Sequence, residues 1–235
     1  MRTEEPASIV LGTVEDLPQV YADMEQQFPP DEMYKYKILL QLLHRGKYKV
    51  LLYKRDSDGA VLGYALVYTI ETCNILWLDY IAILKDYQSH GCGQRLFNAV
   101  WHKYCECGPF DGILFSVEHV CQDDPDLAKR QERRLAFYEY LGAHRLHAEF
   151  LLPCDRGGLP MYLYFKPRRG LCTISRTVQL QAISQMYEYC FFYLKHKKGL
   201  LPQFRQSILD ETFQPERRPG LRRAFGPVAQ SVRHA

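Results

Sequence analysis

"LDYIAILKDYQSHGCGQRLFNAV", residues 78–100, is the stretch on which the reading of this chain turns. It continues an apolar run, NILWLDYIAIL (residues 74–84), with the character of a central strand. After the glycines, GQRLFNAVWHKY places Leu96, Phe97, Val100 and Trp101 at helical spacing. A helix N-terminus carries unpaired N–H groups and a partial positive charge, so strand, glycine loop and helix together make an anion site suited to phosphate. Gly91 and Gly93 are expected to turn the backbone at positive φ and to leave no Cβ between the N–H groups and a ligand. Gln88 can donate from its side chain, and His90 and Arg95 can supply charge. Two nucleotide motifs are excluded. No Gly-x-x-x-x-Gly-Lys-Ser/Thr occurs, and Leu96 stands where a dinucleotide fingerprint needs its third glycine. By itself Gly-x-Gly equally fits a tight turn with no ligand.

Working outward, VEDLPQVYADMEQQF and DEMYKYKILLQLLHRG read as two helices, the second capped by Asp31 and ended by Gly46. YKVLLYKR and VLGYALVYTI form a hairpin around DSDGA. After the glycine loop come a helix, the strand GILFSVEHV, the helix DDPDLAKRQERRLAFYEYLGA, and two late strands in RLHAEFLLP and PMYLYFKP. This order predicts one α/β domain over residues 7–167. Residues 171–198 carry a broad apolar helical face through Ile183, Met186, Tyr187 and Cys190, suited to docking on the domain or on a second subunit as a homodimer. The chain therefore divides into a domain at 1–168, a helical extension at 169–198 and a Pro/Arg-rich tail at 199–235, expected to lack order.

Composition narrows the class. The 235 residues are 47% hydrophobic and 24% charged, with a net charge of +3. Residues 216–235 hold five arginines against one acid, which leaves the body slightly acidic and gives no reason to expect nucleic-acid binding. The first residues, MRTEEPASIV, do not resemble a secretory leader, and no apolar run reaches the ~18–20 residues of a membrane span. A cytoplasmic protein with reduced cysteines is expected. His102, Cys105, Cys107, His119 and Cys121 lack the spacing of a metal site, so no metal is expected.

The wider window resembles the central motif of the GNAT superfamily, the acetyl-CoA-dependent N-acetyltransferases: a strand, then Gln/Arg-x-x-Gly-x-Gly/Ala, then a helix. Gln88, Gly91 and Gly93 match it. FYEYLGA (residues 137–143) resembles the second hallmark of that family, Phe/Leu-Tyr-Glu-x-Leu-Gly-Phe. The resemblance covers about residues 8–167. FPPDE and a Pro153, Pro160, Met161, Leu163 ending resemble a bacterial-type subgroup with no assigned acceptor.

The resemblance implies a GNAT fold, with a mixed central sheet flanked by helices, and acetyl transfer from acetyl-CoA to an amine. The backbone of Ile81, Ala82 and Ile83 would pair with the pantetheine arm. The loop Gln88, Ser89, His90, Gly91, Cys92, Gly93 and Gln94 would hold the pyrophosphate. Tyr138 matches the tyrosine that faces the coenzyme sulfur. A free tyrosine (~10) is less acidic than a thiol (~8.5), so Tyr138 fits a hydrogen-bond donor better than a full acid. Asp79 and Glu118 are rival bases, and either could instead position substrate or sit in an ion pair. Gln131 stands where many relatives carry an asparagine. Arg133 and Arg134 could reach phosphate or simply form a solvated face. Asp23, Glu25, Asp31 and Glu32 could draw a cationic amine. The reading from another class is a non-catalytic acyl-CoA-binding or interaction module, which would need neither Tyr138 nor a base.

Overall fold

A computed structural model describes residues 6–88 and 90–214. Ser89, expected in the pyrophosphate loop, and residues 215–235 of the tail, expected to lack order, lie outside the described residues. The chain enters through β1 (Ala7–Leu11), α1 (Leu17–Gln27) and α2 (Tyr36–His44). The hairpin β2 (Tyr48–Arg55) and β3 (Val61–Ile70) follows, then β4 (Ile75–Ile83), α3 (Cys92–Trp101), β5 (Gly112–Glu118) and α4 (Pro125–Tyr140). The domain closes with β6 (His144–Arg145), β7 (Phe150–Cys154) and β8 (Gly157–Pro167). Beyond it lie β9 (Thr173–Ile174), α5 (Arg176–Cys190), α6 (Leu201–Ser207) and β10 (Glu211–Thr212).

The main sheet runs β1-β2-β3-β4-β5-β8-β6, with β7 also paired to β8. Every neighbour is antiparallel except β4 and β5. That one parallel pair needs a crossover, which α3 supplies. The result is the mixed sheet flanked by helices expected from the sequence. β1 was not foreseen. Its five residues alternate weakly between half-buried and exposed at the sheet edge, so they give little periodic signal.

Two apolar layers cover the sheet. On one face α1, α2 and α5 bury Leu17, Met24, Leu39, Leu42, Ile183 and Met186 against Trp77, Leu66 and Phe150. On the other, α3 and α4 bury Leu96, Phe97, Val100 and Tyr138 against Leu76, Phe115 and Tyr164. Two helix boundaries differ from expectation. Asp31 does not cap α2. It lies in a short 3-10 turn, Pro30–Glu32, and pairs with Arg156, while α2 begins five residues later behind Lys35 without a side-chain cap. Gly46 does end that helix, at φ +83°.

The apolar face of residues 171–198 packs on the protein's own sheet. Ser175 caps α5 by accepting from Val178 N–H, Tyr189 stacks on Tyr68 at 4.3 Å, and Ala182, Ile183 and Met186 are fully buried. Residues 199–214, expected to lack order with the rest of the tail, instead form α6 and β10. Phe204, Ile208 and Phe213 insert into the same core, and β10 pairs with β9. These three residues are anchored singly, with no repeating period to reveal them. Replacing the fully buried Met186 with Ala is expected to cost about 2–5 kcal/mol of unfolding free energy in urea titration. A loss under about 1 kcal/mol would show that α5 is peripheral to the core.

Candidate active site

Two departures from regular strand pairing create a cleft. Along the β3–β4 ladder Leu66 faces Tyr80 and Val67 faces Leu78, so Asp79 is an extra residue, a β-bulge. The bulge shifts the side-chain phase. Ile75, Trp77, Tyr80 and Ala82 all face the α1–α2–α5 core, whereas Leu76, Leu78, Ile81 and Ile83 face the other. A regular strand would put residues 77, 79, 81 and 83 on one face. Trp77 and Asp79 do meet, with Trp77 Nε1–H donating to Asp79 Oδ1 at 3.0 Å, but Ile81 and Ile83 point away.

The second departure is that β4 and β5 pair only over Ile75–Trp77 and Gly112–Leu114. β4 stays with β3 as far as Ile83, and β5 stays with β8 as far as Glu118. The two strands therefore part beyond Trp77, and a cleft of about 540 Å³ fills the gap. It brings together Ile81, Asp79, Glu118, Gln131 and Tyr138, all singled out in the sequence. It adds Glu32 and Tyr34 from the turn between α1 and α2, Arg134 from α4, Leu152 and Met161 from β7 and β8, and Phe191 just past α5. The sequence offers Glu32 as one of four acids that could draw a cationic amine, and Arg134 as a phosphate contact or a solvated position; Arg134 instead pairs with Glu118. Tyr34 and Phe191 carried no signal beyond apolar spacing.

Each candidate has a distinct setting. Tyr138 is buried against Phe115 at 4.6 Å and Phe97 at 5.6 Å, and no described residue bonds its hydroxyl. Burial pushes that hydroxyl up to about 12. Asp79 accepts from Tyr48 Oη at 2.5 Å as well as from Trp77. Burial raises its carboxyl to about 6 against the pull of these donors. The Tyr34 hydroxyl, 2% exposed, stands beside Asp79 with no hydrogen bond of sound geometry. Glu118 is ion-paired with Arg134. Gln131 is buried, and its Oε1 accepts from Cys121 N–H at 2.7 Å, holding the loop after β5.

The glycine loop lies past the end of β4. Gly91 is the N-cap of α3 at φ +72°, so a side chain there would be strained. Gly93 was expected to need positive φ too, but it sits in the first turn of α3 and does not. No side chain caps this helix, and Arg95 N–H makes its first internal bond, to Gly91 O at 3.2 Å. The N–H groups of Cys92, Gly93 and Gln94 thus remain for an anion. Gln88 Nε2 donates to Ile83 O at 2.9 Å and to Gln27 Oε1 at 3.1 Å. Gln27 Nε2 also donates to Ile83 O, so two side-chain amides occupy this carbonyl and tie the end of β4 to α1. His90 Nδ1 lies 2.6 Å from Gln88 O. Among the described residues no group of three or more His, Cys, Asp or Glu is placed to hold a metal ion. Of the five His and Cys residues weighed for one, His119 packs at a tilt on Tyr162 at 4.2 Å and Cys105 is buried.

The acetyltransferase (GNAT) family model matches residues 15–113, from the turn before α1 to the start of β5. Over those residues the chain is similar to the GNAT acetyltransferases. The match ends before α4 and so does not reach Tyr138. Solved structures share the fold. A protein of Bacteroides thetaiotaomicron described as a GNAT-family acetyltransferase superposes with a TM-score of 0.62 at 17% identity, over 80% of this chain and 99% of its own. A spermidine N-acetyltransferase of Vibrio cholerae, solved with CoA and spermine, gives 0.51 at 11% identity, over 69% and 95%. No curated protein matches the sequence. Among the described residues no helix is long and apolar enough to cross a membrane.

The raised carboxyl of Asp79 has a consequence for stability. Its folded value, about 6, lies above the ordinary 3.8, so the folded state binds the proton more tightly than the unfolded chain. Its contribution is therefore greatest at acid pH and is lost as pH rises from about 4 through about 6. The loss is at most about 3 kcal/mol, since the cleft admits water. Asp79→Asn removes this term. In urea titrations at about pH 4 and about pH 7.5, the variant should gain on the wild type as pH rises. A constant difference would place Asp79 in open solvent.

Proposed function

We propose that this protein transfers acetyl from acetyl-CoA to a primary amine by direct attack within a ternary complex. One observation carries the reading: an unbonded tyrosine hydroxyl, Tyr138, opens onto the same cleft as an unpaired strand edge and three carboxylates. Loop N–H groups at the uncapped start of α3, Cys92 to Gln94, suit the pyrophosphate of acetyl-CoA. The free edge of β4 at Ile81 and Ala82 suits the amide groups of its pantetheine arm, as an added strand would. A backbone N–H near Ile81 would receive the oxygen of the reacting carbonyl. Gln88 and Gln131 act through the backbone, fixing the end of β4 and the loop after β5.

The charge balance of the cleft favours a cationic acceptor. Asp79, Glu118 and Glu32 face it, and Arg134 neutralises one of them. Tyr138 serves the departing sulfur as a hydrogen-bond donor. A hydroxyl near 12 is about 3.5 units weaker than an ordinary thiol, so outright transfer of its proton would run uphill by roughly 5 kcal/mol. Asp79 and Glu118 set the field that holds the ammonium. The spermidine enzyme with the same fold makes polyamines natural members of a first acceptor panel.

Tyr138→Phe should lower kcat roughly 10- to 100-fold, the worth of one hydrogen bond to a developing thiolate, with acetyl-CoA affinity by calorimetry unchanged. An unchanged kcat would remove Tyr138 from the reaction, and binding of acetyl-CoA without turnover of any amine would leave a non-catalytic module. Gly91→Val forces a branched side chain into a left-handed position and should weaken acetyl-CoA binding at least about 10-fold without unfolding the domain. Undiminished affinity would move the pyrophosphate site elsewhere.

A further inference from the structure

We propose that Glu32, in the turn between α1 and α2, is the base that takes the proton from the acceptor's ammonium group. The assignment rests on the acetyl-transfer reading above. A base needs a lone pair that faces the substrate and is not already committed. Asp79 spends one oxygen on Tyr48 and the other on Trp77. Glu118 is tied to the Arg134 guanidinium. Glu32 lines the same cleft, and its carboxylate makes no hydrogen bond or ion pair with any described residue.

Its main chain is nevertheless fixed. Glu32 N–H donates to Pro29 O at 3.0 Å, and its own carbonyl accepts from Tyr80 Oη at 2.7 Å. The same hydroxyl accepts from Tyr34 N–H at 3.2 Å. The turn is thus pinned to β4 while its carboxylate stays free. Glu118 faces Glu32 from β5, Arg134 and Arg130 from α4, and Tyr80 from β4, while the neighbouring Asp31 is paired outward with Arg156. Burial first, and then the charge of Glu118, lift the Glu32 carboxyl to about 7, against the opposing pull of Arg134. A group so placed is ionised for about half the molecules at neutral pH and accepts a proton readily.

The surroundings select the acceptor. Phe28 packs on Tyr80 at 5.2 Å, and Tyr34 packs on Phe191 at 5.2 Å and on Tyr80 at 5.8 Å. Rings and carboxylates together suit a primary ammonium on an apolar stem, and they disfavour an anionic group next to the amine. Phe191 comes from the C-terminal extension, so this part of the site is specific to a chain that carries α5.

The protons balance as follows. The Glu32 carboxylate takes one proton from R–NH3+, leaving R–NH2 and a carboxylic acid. The nitrogen lone pair forms the N–C bond, and the C–S electrons leave with sulfur. The second nitrogen proton ends on that sulfur, giving the free thiol, and Glu32 returns its proton to solvent.

The test uses the full chain with acetyl-CoA and a panel of primary amines, spermidine among them, over about pH 5.5 to 9.5. Glu32→Gln should lower kcat/KM about 10²-fold or more near neutrality. It should also erase the acid limb near 7, so that the residual rate keeps climbing with pH, while Tm and acetyl-CoA affinity hold. Glu32→Asp should restore part of the rate. In protein labelled with carboxyl-13C glutamate, the resonance lost in Glu32→Gln should titrate near 7, and saturating amine should move that titration down. If the limb survives in Glu32→Gln, or only KM rises, Glu32 is not the base. If the limb instead disappears in Asp79→Asn, the role passes to Asp79. Should the wild type acetylate no amine at all, the acetyl-transfer reading falls and takes this assignment with it.

Discussion

The parting of β4 from β5 after three residue pairs is the constraint on which the rest of the site depends. A sheet whose central strands separate exposes a row of backbone donors and acceptors, and such groups are tolerated only where water or a ligand satisfies them. β3 and β8 hold the outer edge of each strand in place, so the gap persists without loosening the sheet. The bulge at Asp79 works in the same region. It turns Tyr80 into the α1–α2 core, where its hydroxyl anchors the turn bearing Glu32, and frees Ile81 to face the opposite side.

The cleft also holds charge away from solvent. Burial at the cleft favours the neutral forms of Asp79 and Glu32, and at Glu32 the charge of Glu118 adds to it. The protein offsets part of this with Arg134 at Glu118 and with the donors Tyr48 and Trp77 at Asp79. Glu32 feels the pull of Arg134 but has no hydrogen bond or ion pair of its own among the described residues. A carboxylate left without a partner costs stability, and strain of this kind is kept where a ligand or a proton is to be received.

Most of the domain was legible in the sequence because its signals are periodic. The apolar run through β4, the helical spacing of Leu96, Phe97 and Val100, and the Gly91 turn gave the central unit, and the tyrosine of FYEYLGA does lie at the cleft. What escaped depends on pairing rather than pattern. A bulge adds one residue to a strand without changing its composition, so the phase shift at Asp79 left no mark. Gln88 and Gln131 looked like ligand groups, yet their amides brace backbone, a choice set by neighbours distant in sequence such as Gln27 and Cys121. Phe191 could be read as one more apolar position of an appended helix. Only the docking of α5 makes it a wall of the cleft. Phe204, Ile208 and Phe213 were missed because isolated anchors lack a repeat.

Because α5 covers β3 and the cleft wall at once, vectorial synthesis delivers the main sheet before the helix that covers it. Every strand of the main sheet is made before Tyr189 can settle on Tyr68 and Phe191 can reach Tyr34. Until then a nascent chain with nearly all of its sheet assembled still bares one aromatic flank to the cell, and folding is sealed from the C-terminal side.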